Sequence, residues 1–361
     1  MKIGIILHPY GEDKPAGLSR IIFELTREMI QRDSRNEYII FLKHRPNVLP
    51  VFSGNNWKIE IIGNSFFWLD RLRKYSRADI YIFNTPALPF FSKPGLTIVL
   101  ALDFAYWYFR PKGIRGFLQT RMTYWYHRIS LAKADYVVTI SDATKNDLHA
   151  LFPIEKKQVK TIYFGFRPVA SIPEKLVSGI PKNFFLFTGV WKERKNITGV
   201  VCAFELFAKK FPDAALVLVG KNEGEYAEKI RQHILNSGLR EKIKILGFVS
   251  DAELSYLYRH ATALLFPSFI EGFGFPLLEA MDAGLPVITS NCSSLAEIAG
   301  DAAILINPHN PAEIAEAMGR LYTDEALRIG LREKGMVRVC EFSWDRTVKE
   351  VMGVIKTKAG D

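Results

Sequence analysis

Phe266-Pro-Ser-Phe-Ile-Glu-Gly-Phe-Gly-Phe-Pro-Leu-Leu-Glu-Ala-Met-Asp-Ala-Gly284 is the stretch on which the reading of this chain turns. An apolar run from Ala261 to Phe266 leads into it and reads as a buried strand. Pro276 stands at a favoured first helical position, and Gly284 closes the short helix that follows. Between them, Gly272 and Gly274 let the backbone curl and approach a ligand closely. A Gly-rich turn feeding a helix N-terminus presents amide donors and a positive dipole end, which suits a phosphate. Glu271 on the loop and Glu279 in the first turns of the helix set a carboxylate on each side of that anion site. A plain strand-turn-helix, with Glu279 merely complementing the dipole, is the simpler account. The two placed carboxylates favour a site.

Working outward, 361 residues make two domains the natural expectation. A hydrophobic content of 48% with 24% charged residues supplies two soluble cores. No apolar run approaches the length of a membrane span, and Met1–Leu7 reads as a first strand and not a signal peptide. Cys202, Cys292 and Cys340 are far apart and form no C-x-x-C, so neither a disulfide framework nor a zinc site is expected, and the location expected is cytoplasmic. The net charge of +10 is lopsided: residues 1–170 carry 25 Lys and Arg against 14 Asp and Glu, residues 171–361 carry 23 against 24. A basic first half suggests something anionic before it, a nucleic acid, a membrane surface or a phosphorylated acceptor; a solvated basic surface is the bland alternative.

Apolar strands alternate with helices throughout, the mark of doubly wound α/β domains. Lys2–Leu7, Tyr38–Leu42, Ile59–Ile62, Ile80–Phe83 and Thr97–Leu102 make the first set, with an amphipathic helix over Ile21–Ile30. The loop before that helix holds Gly11, Pro15 and Gly17 but no G-x-G-x-x-G, which argues against a nicotinamide-binding domain. Asp103 ends the Thr97 strand, either as a polar contact to substrate or as a cap for the next helix. Between Phe104 and Lys133 nine aromatics, Phe104 and Trp125 among them, are interleaved with Arg110, Lys112, Arg115, Arg121 and Arg128. Such a mixture suits an anionic headgroup layer or nucleic-acid stacking, and much of it suits a core; a membrane edge, at the inner face of the cell membrane, or a lipid-linked acceptor is the best functional reading. After a linker with Pro168, Pro173 and Pro181 come Phe184–Phe187, a helix over Ile197–Lys210, Leu216–Gly220, Ile243–Gly247, Pro286–Thr289 and Ala303–Ile306.

Glu271 and Glu279, with seven residues between them, resemble the E-x7-E signature of family-four retaining glycosyltransferases. The resemblance is specific from Gly189 to about Leu305 and weaker over the rest. It implies the GT-B fold, α/β with two Rossmann-like doubly wound domains facing across a cleft. Residues 1–168 would form the acceptor-side domain and 182–342 the nucleotide-sugar domain, with a helix of about 347–361 crossing back to the first. It further implies transfer of a hexose, with retention, from a nucleotide diphosphate sugar to a glycan or lipid-linked acceptor. A likeness to bacterial mannosyltransferases of surface polysaccharide synthesis points to GDP-mannose.

On that resemblance Glu271 contacts the reacting sugar, and Asp103 is a candidate catalytic contact. Arg194, Lys195 and Asn196, which resemble the family's Arg-Lys-Asn, would hold the diphosphate with Gly272, Phe273, Gly274, Phe275 and Gly17, and Glu279 and Val249 the nucleoside. Arg suits paired phosphate contacts and Lys adds a compact charge, although a solvated charge run is what these residues would be without their context. No D-x-D occurs, so no metal is expected, and no cofactor beyond the sugar nucleotide. Two departures stand out: Leu102 where the family often has His, and Phe164 where it has Asn. An epimerase of the same fold, a sugar-binding protein without catalysis and a nucleic-acid-binding protein are the rival readings; the last does not account for the second half.

Overall fold

The computed structural model describes residues 1–10, 17–65, 67–75, 77–111, 113–154 and 158–359. Gly11, Pro15 and Lys112 of the reading above lie outside the described residues. The chain divides into two compact units, Met1–Gly165 with Ser343–Asp361, and Phe166–Phe342.

The first unit comprises β1 (Lys2–Ile6), α1 (Leu18–Arg32), β2 (Glu37–Leu42), β3 (Trp57–Ile61), β4 (Ile80–Phe83), β5 (Leu96–Ala101), α2 (Ala105–Tyr108), α3 (Gly113–Lys133), β6 (Tyr136–Thr139), α4 (Asp142–Leu151) and β7 (Gln158–Thr161). Its strands form a parallel sheet in the order β3-β2-β1-β4-β5-β6-β7. Strand β7 escapes the apolar pattern because it lies at the sheet edge, where a polar residue such as Lys160 is tolerated. Ser141 caps α4, its Oγ accepting the Thr144 amide at 3.0 Å. The C-terminal helix, Trp344–Ala359, belongs to this unit. The Thr347 hydroxyl accepts the Gly165 amide at 2.8 Å and donates to the Tyr163 carbonyl at 2.9 Å, and Arg32 of α1 pairs with Asp345 at 2.6 Å.

The second unit comprises β8 (Phe184–Thr188), α5 (Ile197–Ala208), β9 (Ala215–Val219), α6 (Glu225–Asn236), β10 (Ile243–Gly247), α7 (Asp251–His260), β11 (Ala263–Phe266), α8 (Phe275–Asp282), β12 (Val287–Ser290), α9 (Ser293–Ala299), β13 (Ile304–Ile306), α10 (Pro311–Thr323) and α11 (Glu325–Val339). The parallel sheet runs β10-β9-β8-β11-β12-β13. Helices cover both faces, so successive side chains alternate between two cores. Phe185 and Phe187 of β8 and Ala263 and Leu265 of β11 enter one cluster; Phe184, Leu186, Leu264 and Phe266 enter the other. From β8 the chain builds outward one way to β10, then returns beside β8 with β11 and builds the other way. The strand order therefore reverses between β8 and β11, where the loops leaving their carboxyl ends diverge and open a crevice.

Candidate active site

Arg194 and Lys195 follow β8 and Glu271 follows β11, so the reversal brings together groups far apart in sequence. The Glu271 carboxylate lies between both cations, Oε2 2.7 Å from Arg194 Nη1 and Oε1 2.6 Å from Lys195 Nζ. The three side chains keep only 10%, 23% and 13% exposure respectively. Burial pushes the Glu271 carboxyl up, but Lys195 and then Arg194 outweigh it and hold the group below its ordinary range. Arg194 also donates to the Ile270 carbonyl at 3.0 Å, and Lys195 Nζ lies 4.7 Å from the centre of the Phe266 ring.

The loops that carry these groups are fastened by hydrogen bonds to main-chain amides and carbonyls. Asn196, 4% exposed and in the left-handed region at φ 56°, caps α5 through the Gly199 amide. Its side-chain amide donates to the carbonyls of Pro267 at 3.1 Å and Pro308 at 2.7 Å, tying the β8 loop to the loops after β11 and β13. The Phe269 amide donates to the Arg194 carbonyl at 2.8 Å. Ser294 of α9 bridges the glycine turn, its Oγ lying 2.8 Å from the Glu271 carbonyl and 2.7 Å from that of Phe273. Gly274 precedes α8 at φ 133°, and a β-carbon there would come within 3.0 Å of Leu295, so the turn requires glycine. At the neighbouring strand end, a β-carbon on Gly220 would sit 2.0 Å from the Gly189 carbonyl oxygen. That close approach lets the β8 loop lie against the end of β9.

Glu279 lies in the second turn of α8 and accepts a hydrogen bond from the Tyr258 hydroxyl of α7 at 2.9 Å. Tyr258, wholly buried, also lies 3.2 Å from the Thr188 hydroxyl at the end of β8. Nothing in the local pattern of α7 marks Tyr258, because only the packing aims its hydroxyl at the strand ends. Ser294 likewise escapes the sequence reading, while Asn196, of the Arg-Lys-Asn run, holds the loops through the Gly199 amide and the Pro267 and Pro308 carbonyls. Val249 is half-buried and packs on the core that includes Leu257 and Val219. Phe273 is buried and stacks edge-on with Phe342, ring centres 5.8 Å apart; Gly272 is buried, and Phe275 is half-buried at the start of α8.

Gly17 and Asp103 belong to the first unit. Gly17 precedes α1 at φ 54°, exposed, its carbonyl accepting the Ile21 amide at 3.2 Å. Asp103 is exposed just beyond β5, and its Oδ1 accepts the Ala105 amide at 3.1 Å. It stands one residue before the formal cap of α2, Phe104, so it performs a local turn bond of the capping kind. Leu102, at the position of the family histidine, is buried.

Among the described residues, one group of three metal-ligating side chains lies close together, Cys202 and Glu205 of α5 with His233 of α6, their donor atoms within 4.8 Å of one another. None of these is a residue of the Glu271 site. No helix of the described residues is long and apolar enough to cross a membrane.

Comparison with known proteins agrees with this architecture. Residues 15–168 match the model described as Glycosyltransferase Family 4, and residues 170–337 the model described as Glycosyl transferases group 1. The O-antigen chain mannosyltransferase B of Escherichia coli is 30% identical over 240 residues, 63% of this chain and 62% of that protein. The matched part thus spans less than two thirds of that relative's length. Among solved structures, sucrose-phosphate synthase from Thermosynechococcus elongatus superposes with a TM-score of 0.79 at 17% identity, over 99% of this chain and 98% of the other. Anabaena HepE in complex with UDP and glucose gives 0.77 at 17% identity, over 98% and 99%. At that identity the superpositions speak for the fold, which is that of the GT-B glycosyltransferases, and the two family models speak for the lineage. This chain belongs to the family 4 and group 1 glycosyltransferases.

Proposed function

We propose that the protein transfers a hexose, with retention of anomeric configuration, from a nucleotide diphosphate sugar to a glycan or lipid-linked acceptor, without a metal ion. The observation that carries this reading is the Glu271 carboxylate held between Arg194 and Lys195 where the strand order reverses, beside the turn into α8. The developing charge on a departing nucleoside diphosphate needs fixed positive partners in a water-poor site. Arg194, Lys195 and the start of α8 supply them, so no cation need bridge the phosphates. The sugar's anomeric carbon would lie toward Glu271, and the ribose toward Glu279. Glu271 meets two cations and not a second carboxylate, which favours a front-face route over double displacement. In that route the anomeric carbon's bond to the phosphate oxygen breaks as its bond to the acceptor oxygen forms on the same face. The leaving phosphate takes the acceptor's proton. Mannose from GDP-mannose is the donor we favour, on the likeness to the O-antigen mannosyltransferase.

The test is a panel of GDP-, UDP-, ADP- and dTDP-sugars scored for thermal stabilisation, followed by turnover with the stabilising donor in excess EDTA. GDP-mannose should raise the melting temperature most, and turnover should survive chelation. Loss of turnover that Mg2+ or Mn2+ restores would overturn the metal-free mechanism. Stabilisation by no sugar nucleotide would overturn the assignment of the donor site.

A further inference from the structure

Helices α5 and α6 lie side by side in matched register. Near their N-terminal ends the Tyr226 hydroxyl of α6 lies 3.2 Å from the Thr198 hydroxyl of α5. Seven residues further along each helix, His233 Nε2 lies 2.8 Å from Glu205 Oε1. Seven residues make about two turns, so the helices run parallel and present the same flanks to each other twice. Val201 and Phe204 of α5 and Ile230 and Ile234 of α6 enter one core, which sets the separation of the two helices.

That flank holds a third donor. Cys202 precedes Glu205 by three positions, so their side chains share one face of α5. The thiol, the Glu205 carboxylate and the His233 imidazole bring one sulfur, one oxygen and one nitrogen within 4.8 Å of one another. Cys202 is half-buried, and the side chains of Glu205 and His233 keep 28% and 41% exposure, so an ion can arrive from solvent. A hydrogen bond between the helices accounts for Glu205 and His233 and gives no role to a thiol at the same point.

We infer that Cys202, Glu205 and His233 bind one divalent cation of the zinc class, which clips α5 to α6. Thiolate and imidazole favour Zn2+ or Co2+ over Mg2+ and Ca2+, whose sites are built from oxygens. Three protein ligands leave the fourth tetrahedral position to water on the exposed side. Ligand atoms around a tetrahedral zinc lie roughly 3–4 Å apart, so closing the site from 4.8 Å takes only small rotations of partly exposed side chains. Binding releases the Cys202 thiol proton to solvent and requires a ring nitrogen of His233 without its proton. No C-x-x-C announces the site. A C-x-x-E on one helix meets a histidine 28 positions beyond its glutamate only because α6 packs against α5.

The inference needs no sugar nucleotide, so its test is separate from that of the transferase reading. The full chain is stripped with EDTA, desalted into a thiol-free reductant and titrated with Co2+. One equivalent should produce a near-ultraviolet thiolate-to-cobalt band, and displacement by Zn2+ should abolish it. Cys202→Ser should remove the band, and Glu205→Gln and His233→Gln should each weaken binding about tenfold or more. Cys340→Ser, which removes an exposed thiol, should keep the band. Zn2+ at about 100 times its dissociation constant should raise the melting temperature by about 5 °C or more, and Mg2+ should not. Cys202→Ser should lose that shift while melting like wild type in EDTA. Each variant is compared with its own metal-free form, so a folding defect is read apart from loss of the site. A band that survives Cys202→Ser, or one that Cys340→Ser removes, would mark an adventitious ion only and overturn the inference. Stabilisation by Mg2+ equal to that by Zn2+ would overturn it too.

Discussion

Each sheet has a crevice where its strand order reverses, between β1 and β4 in the first unit and between β8 and β11 in the second, and the two are furnished differently. In the second unit the strand ends are bridged by ionised side chains, Glu271 between Arg194 and Lys195. In the first unit they are bridged by a neutral amide: Asn84, 2% exposed, donates to the Ile6 carbonyl and so ties β4 to β1. His8, just past β1, is kept neutral, since burial lowers its imidazole to about 4 with help from Lys43 and His44. Asp103 lies one strand further along, exposed and bonded to its own turn. Burying three charges carries a desolvation penalty that a neutral bridge avoids, so stability alone does not favour the ionic arrangement. A site that must receive an anion has a use for it. The comparison teaches that the same strand topology leaves open whether a crevice holds charge, and the loop residues settle that.

The largest effect should come from Glu271→Gln. Loss of a charged contact beside the reacting sugar should lower kcat about 100-fold, measured in single turnovers at saturating donor. The same change leaves Arg194 and Lys195 without their shared carboxylate, and should cost about 2–3 kcal/mol in urea unfolding, less than a fully buried pair because Arg194 keeps some solvent. Its pH signature has a definite sign. The folded Glu271 carboxyl titrates below its ordinary value of 4.5, so its stabilising contribution is complete above that pH and disappears as acid protonates the folded form. Wild-type unfolding free energy should therefore fall on acidification below about 4.5 by more than that of the Gln variant. Full kcat in the variant would remove the functional half of the comparison.

Next comes Asn196→Ala, which deletes the α5 cap and leaves the Pro267 and Pro308 carbonyls without their donor. It should destabilise the second unit by about 2 kcal/mol, read as a lower urea midpoint. An unchanged midpoint would show that the loops are held by something other than this side chain. Glu279→Gln should raise the donor KM about tenfold with a smaller change in kcat, and Tyr258→Phe, which removes the hydroxyl bonded to Glu279, should raise it two- to threefold, as loss of one hydrogen bond implies. A larger effect on kcat than on KM would move Glu279 to the reacting centre. Smallest of all, Asp103→Asn keeps the oxygen that accepts the Ala105 amide and should leave unfolding within about 0.5 kcal/mol of wild type. A kcat loss beyond about tenfold would place chemistry at the first sheet's edge too and break the contrast between the units.

The strands of both sheets could be located from apolar runs such as Phe184–Phe187 and Ala261–Phe266, because a strand covered on both faces has no polar side to disguise it. The edge strand β7 and helix α7 could not, since a half-exposed element mixes polar and apolar residues as loops do. The segment from Phe104 to Lys133 shows the limit most clearly. Its composition admitted both a core and a docking surface, and the fold divides it: Phe104 is 1% exposed while Ile114 is 80% exposed.

The residue types at the candidate site are properties of the sequence alone: two acids eight positions apart around a glycine turn, and Arg-Lys-Asn after an apolar strand. So is the preference of that turn for a positive-φ glycine, which arises from local sterics. That Glu271 meets Arg194 and Lys195, 77 and 76 positions earlier, follows from β11 pairing with β8. The aim of the Tyr258 hydroxyl at Glu279, and the exposure of Ile114 on α3, likewise arise from packing. A local pattern reports that a segment is apolar or charged. Which partner it meets depends on the order of the strands, and that order is chosen by burial summed over the whole unit.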